Sequence, residues 1–357
     1  MTPETLRARI KGGEPLKDMD LRGLTLPSGD YAGGIFLNCD LRGLLFAGID
    51  LRDSRFSQCR LEDACFEAAT LDDCAFDQCD ASRASLRGAH IARMTWSGGT
   101  AYGMDLLGAS LDTCHFTRTD LTNAILAQTH IKDGSFSECT FAQADIRDTR
   151  QQGTLYFRAD LAQTRIEGAN WEGLVFVDSD LSGHRFAGQR LQRCQLTQCR
   201  MDGSDFSDAQ LEQSGFKGAS LRDCDFSRAK AARVLFIEAD LRGSRFVGAQ
   251  CPQSLWVDAL LDGTDLSGAD LTQAILHRAR CAGATFAHAE LEYADFSYAD
   301  LSDADFRDSR FARTQLHRAL TAGARFDSRS GVIDQDAQLF EAERWSAARP
   351  TATQAGY

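Results

Sequence analysis

Nowhere in the 357 residues do 18 consecutive apolar residues occur, so the sequence holds no candidate for a membrane-spanning helix. Residues 1 to 30 also lack an apolar run long enough for a secretory signal, and the expected location is the cytoplasm. Positive charge is in deficit, with 39 Lys and Arg against 51 Asp and Glu and a net charge of −12. That balance argues against a surface built to neutralise phosphates, so direct nucleic-acid binding is not expected. No Cys-x-x-Cys occurs among the 12 cysteines, which removes the usual zinc pattern. There is no glycine-rich phosphate loop between a strand and a helix, and no nucleophile elbow. The seven histidines (His90, His115, His130, His184, His277, His288 and His317) are scattered. His277 and His317 share a column of the repeat described below, as do His90 and His130, and two coils, about 10 Å, separate the members of each pair. The sequence therefore predicts no enzyme, no cofactor and no metal site.

What the chain has instead is a five-residue register that runs without insertion or deletion from Leu16 to Phe326. Every fifth residue is a centre: Leu16, Leu21, Leu26, Tyr31, Phe36, Leu41, Phe46, Leu51 and onward. All but seven of these centres carry Leu, Ile, Phe, Tyr, Trp or Met. The seven exceptions are Ala81, Ala101, Gln151, Ala231, Cys251, Cys281 and Thr321. A repeat this strict is read before any other signal, and it overrides the length-based expectation of several domains because solenoids grow in one dimension.

Phe and Leu alternate along the centres: of 20 Phe centres, 18 have residue numbers ending in 6, and Leu dominates those ending in 1. The outward positions lengthen this period of ten to twenty. Leu155, Val175, Leu235, Leu255 and Ile275 precede centres in one column, and ten residues away stand Arg165, Arg185, Asp225, Arg245 and Asp265. Twenty residues per coil is the simplest account, with Phe stacked on two opposite sides and Leu on the other two. At about 4.8 Å per coil, 16 coils make a rod of roughly 75 Å.

Nine cysteines (Cys39, Cys59, Cys74, Cys79, Cys114, Cys139, Cys194, Cys199 and Cys224) sit two residues before a centre, in a row otherwise filled mostly by Ala, Ser, Thr and Gly. They read as small, buried, reduced thiols. His184 and Gln189 are too large for that row, and an altered corner is expected around 184–190.

The pentads Gly268-Ala269-Asp270-Leu271-Thr272, Ala294-Asp295-Phe296-Ser297, Ala299-Asp300-Leu301-Ser302 and Ala304-Asp305-Phe306-Arg307 resemble the pentapeptide repeat family. The resemblance covers residues 16–326. It implies an all-β solenoid, a right-handed quadrilateral parallel β-helix with four pentapeptides per coil, in which the centre and the small residue two before it point inward. The expected divisions are a capping helix within 1–15, the β-helix over 16–328, a C-terminal capping segment over 329–350 and a tail over 351–357. Thr2 and Pro3 suit a helix start, with Leu6 and Ile10 on one face and Gly12-Gly13 at its end. A second helix, capped by Asp334 and carrying Leu339, Phe340 and Trp345 to about Ala348, would close the last coil before Pro350.

Two outward features are candidate sites. In one column the residues flanking the centres are apolar: Leu155 and Phe157, Val175 and Val177, Leu235 and Ile237, Leu255 and Val257, then Ile275. Nine such side chains on an outer face predict a contact with another protein or with a second copy as a homodimer. A column of Asp20, Asp40, Asp80, Asp120, Asp160, Asp180, Asp240 and Asp300 precedes the centres on a Leu side. Asp there can bond the turn backbone. The resemblance adds another reading, since some relatives are similar to duplex DNA in charge and width and bind topoisomerases. The opening Met1-Thr2-Pro3-Glu4 through Gly13-Glu14-Pro15-Leu16 is similar to that of pentapeptide proteins associated with type VI secretion in bacteria. The functional expectation is a non-catalytic protein-binding scaffold or adaptor. Its alternatives are a DNA mimic that binds gyrase and an immunity or resistance factor that sequesters a toxin.

Overall fold

The computed structural model describes residues 1–347. Residues preceding the centres form parallel bridges with residues 20 positions on: Asp20 with Asp40, Leu45 with Cys65, Asp50 with Thr70, Arg55 with Ala75. The same shift in four columns fixes four pentapeptides per coil and a parallel β-solenoid of about 16 coils. We name its sides by early centres: the Phe36, Leu41, Phe46 and Leu51 sides, met in that order along the chain.

Aromatic stacking follows from the register. Phe36, Phe56, Phe76 and Trp96 stack with successive centroids 4.8, 4.7 and 4.5 Å apart. On the opposite side Phe186, Phe206, Phe226 and Phe246 do the same at 4.8, 4.7 and 4.5 Å. The two stacks meet edge to face, as in Phe226 against Phe236 at 5.6 Å and 80°. The coil rise is thus also close to the separation at which offset rings attract.

The row of small residues does more than leave room. Thr164 and Ser204 donate to the carbonyls of Phe141 and Leu181, each 23 residues back, at 3.1 and 3.3 Å. Ser244 and Thr264 repeat the bond to Leu221 and Leu241 at 2.6 and 3.0 Å. Cys224 uses its thiol on Met201 in the same way at 3.1 Å. All 12 cysteines are free thiols, and burial pushes that of Cys194 up to about 12. The polar centre Gln151 is buried by donating to Thr149 at 3.2 Å and accepting from the Tyr156 hydroxyl at 2.8 Å.

Uniform pentads do not give uniform turns. On the Leu41 side the turn closes on itself, with Leu44 N–H donating to Leu41 O at 3.1 Å. On the Phe36 side, from Leu16–Lys17 through Ile35–Leu37 to Gln195–Thr197, extended strands build a ten-stranded parallel sheet instead. A five-stranded sheet on the Leu51 side runs from His90–Ala92 to Asn170–Glu172. Beyond residue 197 the Phe36 side takes the closed turn as well, as in Ala219 N–H to Phe216 O at 3.1 Å.

Between residues 45 and 325 the ladder lacks a bridge in only two places among the described residues, Arg165/Arg185 and Asn170/Arg190. These are adjacent sides of one coil step, at the oversized His184 and Gln189.

Helix α1 (Pro3–Lys11) has Thr2 as its N-cap, and its Leu6 and Ile10 enter the core. At the other end Val332–Ile333 adds in parallel to Thr314–Gln315 with a shift of 18. Helix α2 spans Ala337–Ala347. Its cap is Asp336, which accepts from Leu339 N–H at 2.9 Å, and not the expected Asp334, which pairs with Arg329. The added strand uses the residues immediately before Asp334, which moves the helix start on. Glu343 of α2 accepts from Tyr298, Arg318 and His317, and the Arg318 guanidinium lies 5.6 Å from the Phe340 ring. Helix α2 therefore lies along the flank of the last coils. The expected helix end at Ala348, its stop at Pro350 and the tail over 351–357 lie outside the described residues.

Candidate protein-binding surface

The register brings the nine apolar side chains together in two clusters on the Phe36 side. Leu155 pairs with Val175 and Phe157 with Val177. Leu235, Leu255 and Ile275 bridge in succession, with Ile237 and Val257 on the other flank of their strands. Gln195 and Gly215 separate the clusters; a Cβ at Gly215 would collide with the Gln195 amide, so that side chain is folded over the glycine.

All nine are half-buried and none is fully exposed. A coil rise of about 4.8 Å puts same-column side chains within van der Waals reach, so each covers part of the next. Glu343 of α2 bonds Tyr298, His317 and Arg318, beyond Ile275 along the rod. The Arg158 guanidinium lies 4.9 Å from the Phe157 ring.

The most exposed apolar side chains lie elsewhere. Leu45 and Leu320 are about three-fifths exposed, at 60% and 61%, with Ile125, Tyr293 and Tyr298 less so. Ile35 and Leu37 extend the apolar Phe36 side to the first coils. Leu45, Ile125 and Leu320 all precede a centre, so the position rule that found Leu235 finds them when applied to every coil.

The aspartate column lies on the Leu41 side, and each of its carboxylates accepts the backbone N–H two residues on. The donors to Asp20, Asp40, Asp80 and Asp120 are Arg22, Arg42, Ser82 and Thr122, at 3.1, 3.3, 3.0 and 2.9 Å. Those to Asp160, Asp180, Asp240 and Asp300 are Ala162, Ser182, Arg242 and Ser302, at 3.2, 3.0, 3.4 and 3.0 Å. Arginines then pair with Asp20, Asp40, Asp180 and Asp240. The bonds from Arg242 and then Arg222 hold Asp240 down to about 2, and Arg307 does the same for Asp305.

A folded pKa below the unfolded value of about 3.9 gives stability that is present above pH 4 and lost as pH falls through about 2. In an acid titration followed by circular dichroism, the protein is expected to stay folded to lower pH than Arg222→Gln/Arg242→Gln. Coincident curves would show that these pairs contribute nothing.

A groove of about 380 Å³ lies on the Leu51 side, over Ile131 and Gln151. Its walls mix Lys132 and Arg150 with Asp112 and Glu172. Among the described residues no group of three or more His, Cys, Asp or Glu is arranged to hold a metal ion, and no helix is long and apolar enough to cross a membrane.

Two family models match the sequence. One, described as a pentapeptide repeat region, covers 33–106 and 175–246, and the other, pentapeptide repeats in eight copies, covers 257–292 and 284–320. Together they span more than half the chain. No curated protein matches. Among solved structures the chain is similar to HetL, a pentapeptide repeat protein involved in heterocyst differentiation regulation from the cyanobacterium Nostoc sp. strain PCC 7120. That match is 24% identical over 80% of this chain and 96% of that one, with a TM-score of 0.26. Full-length QnrB1, a plasmid-mediated fluoroquinolone resistance protein, is 14% identical over 73% and 99%, with a TM-score of 0.18. A pentapeptide repeat protein of the Arabidopsis thaliana thylakoid lumen is 29% identical over 37% and 68%, with a TM-score of 0.15. The longest unmatched interval, 107–174, contains most of the five-stranded sheet, Gln151 and Trp171. With the register unbroken across that interval and the 20-residue coil on either side of it, the chain belongs to the pentapeptide repeat family.

Proposed function

We propose that the chain is a non-catalytic binding rod that docks another protein, or a second copy of itself, on the apolar strip of the Phe36 side. The observation that carries this reading is the pairing of Leu155 with Val175, of Phe157 with Val177, and of Leu235 with Leu255 and Ile275, at positions where most other coils carry polar residues. Half-buried apolar side chains on a rigid ladder cannot turn inward, because the core behind them is filled by Tyr156, Phe176, Phe236, Trp256 and Leu276. A partner surface is what removes the rest of their area from water.

Leu235→Glu/Leu255→Glu places two charges in the larger cluster without touching a centre. The variant is expected to fold as the parent does and to lose its captured partner or its dimer. An unchanged oligomeric state together with an unchanged set of captured proteins would remove this surface from consideration.

The aspartate column favours a second reading, in which the rod imitates DNA and binds gyrase or another topoisomerase. Turn bonds and arginine pairs occupy much of that charge, which ranks this reading below the first. A supercoiling assay separates the two: no effect of the protein at micromolar concentration removes the gyrase reading. Affinity capture from the native cell would show whether the partner is a secretion or effector component, or a toxin held by an immunity factor.

A further inference from the structure

One coil step has lost its bridges on two adjacent sides, the Phe46 and Leu51 sides. On those sides it lacks four backbone bonds that the steps before and after it make. In the step before, Arg165 N–H donates to Ala144 O, Ile146 to Arg165, Asp148 to Glu167 and Asn170 to Thr149, at 2.9, 2.8, 3.1 and 2.9 Å. In the step after, Asp205 donates to His184, Phe186 to Asp205, Gly188 to Ser207 and Gln210 to Gln189, at 2.9, 2.6, 2.8 and 2.9 Å. Between them, among the described residues, Arg185 does not reach Thr164, Ile166 does not reach Arg185, Gly168 does not reach Ala187, and Arg190 does not reach Ala169. The next bond along, Trp171 N–H to Arg190 O, is stretched to 3.4 Å.

The cause is in the side chains. His184 occupies a column of the small row whose neighbours one coil away are Thr164 and Ser204. It makes the bond its neighbours make, Nε2 to the carbonyl 23 residues back, here Leu161 at 2.7 Å. An imidazole needs more length than a hydroxyl to span that gap, so the bond is kept by spreading the coils. Gln189 has Ala169 and Ala209 as its column neighbours one coil away, and its amide donates to Arg185 O at 3.1 Å, the carbonyl that Ile166 leaves free. Trp171, the one tryptophan on a Leu side, fills the core beside the same step with its indole N–H buried and without a partner. The open form is thus propped by one side chain and partly satisfied by another.

On the other two sides the bridges remain, Asp160 to Asp180 and Val175 to Gln195, with only the Gln163 N–H, among the described residues, failing to reach Ser182 on the Leu41 side. A rod released on two adjacent sides and held on the other two bends toward the held sides. We propose that this step is a built-in hinge: the coil of residues 164–171 parts from that of 184–191 on the Phe46 and Leu51 sides, pivoting on the Phe36 and Leu41 sides. Opening makes the Phe36 side concave and closing straightens it. The hinge stands on the backbone ladder alone and does not depend on what docks at the apolar strip.

Residue-resolved hydrogen exchange on the full chain tests it. The amides of Ile166, Gly168, Arg185 and Arg190 are expected to exchange roughly tenfold to a hundredfold faster than their counterparts at Ile146, Asp148, Asp205 and Gln210. The first tryptic cut within the rod is expected at the exposed Arg185 or Arg190. His184→Ser/Gln189→Ala restores the small row with a donor of the right length, and is expected to slow exchange at those four amides toward their neighbours' rates and to delay the cut. Four amides as protected in the parent as their counterparts would overturn the hinge, and so would a folded double variant whose exchange there is unchanged. A double variant that fails to fold would also overturn it, since the small row would then require the larger side chains.

Discussion

Phe216→Ala is expected to lower the free energy of unfolding by about 3–5 kcal/mol, read as a fall in the urea midpoint. Phe216 is fully buried; its ring stacks on Phe236 at 5.2 Å and meets the edges of Phe206 and Phe226 at 6.0 and 6.3 Å. Cavity costs are small where the surroundings can collapse and large where they cannot. Here they cannot, because Phe216 N–H is tied to Leu235 O at 2.7 Å and Gly215 N–H to Cys194 O at 2.9 Å, so the coil rise is set by backbone bonds on every side. Leu316→Ala, in the last complete coil and next to the short Val332–Ile333 strand, is the comparison that should cost less. A loss below about 1 kcal/mol at Phe216 would mean that neighbouring rings close over the void, and that the ladder is softer than its geometry implies.

Gly99→Ala is expected to cost about 3 kcal/mol or more, although it adds one methyl group. Gly99 has φ +77, where a side chain is strained, and an added Cβ would collide with the carbonyl oxygen of Cys79 and lie 2.7 Å from its nitrogen. The Cys79 carbonyl cannot step aside, since it accepts from Thr100 N–H at 2.9 Å within the ladder. Trp96 occupies the same corner, its indole donating to Gly98 O at 3.1 Å. Trp96→Phe/Gly99→Ala should recover part of the loss, because a phenyl ring vacates that corner. Thermal melts of the single and double variants measure the coupling. Additive losses would show that the tryptophan and the glycine pair are independent.

Much of the molecule was legible from the chain alone, for one reason. In a solenoid every residue contacts its counterparts one period away, so a period in sequence is a contact map. The alternation of Phe and Leu assigned the sides, the small row assigned the corners, and the polar exception Gln151 was visible as an exception. The size of His184 and Gln189 was legible too, and it placed the disturbed corner. The nine apolar side chains of the strip were found by position. Their half-burial was not, because a residue's exposure depends on what stands 20 positions away on each side.

The remaining features were decided in three dimensions. Which pentads form extended strands and which form closed turns is only partly written in a single pentad: no strand of the two large sheets has Asp before its centre, but closed turns carry Leu45, Ser220 and Leu235 there as well as Asp; coils stacked in register impose a common form on their neighbours. Asp336 and not Asp334 caps α2, because strand pairing with Thr314–Gln315 first uses Val332 and Ile333. The same holds for the coil step at residues 164–190. Sequence identified the oversized side chains, but which two sides of the ladder give way depends on where those side chains point and on which backbone bonds lie in their path. Composition and period determine that this chain is a rod with a Phe-and-Leu core. Only the packing of each coil on the next decides where that rod is rigid, where its apolar strip is half covered and where it can bend, because these depend on sub-ångström competition between side-chain length and a coil rise fixed by hydrogen bonds.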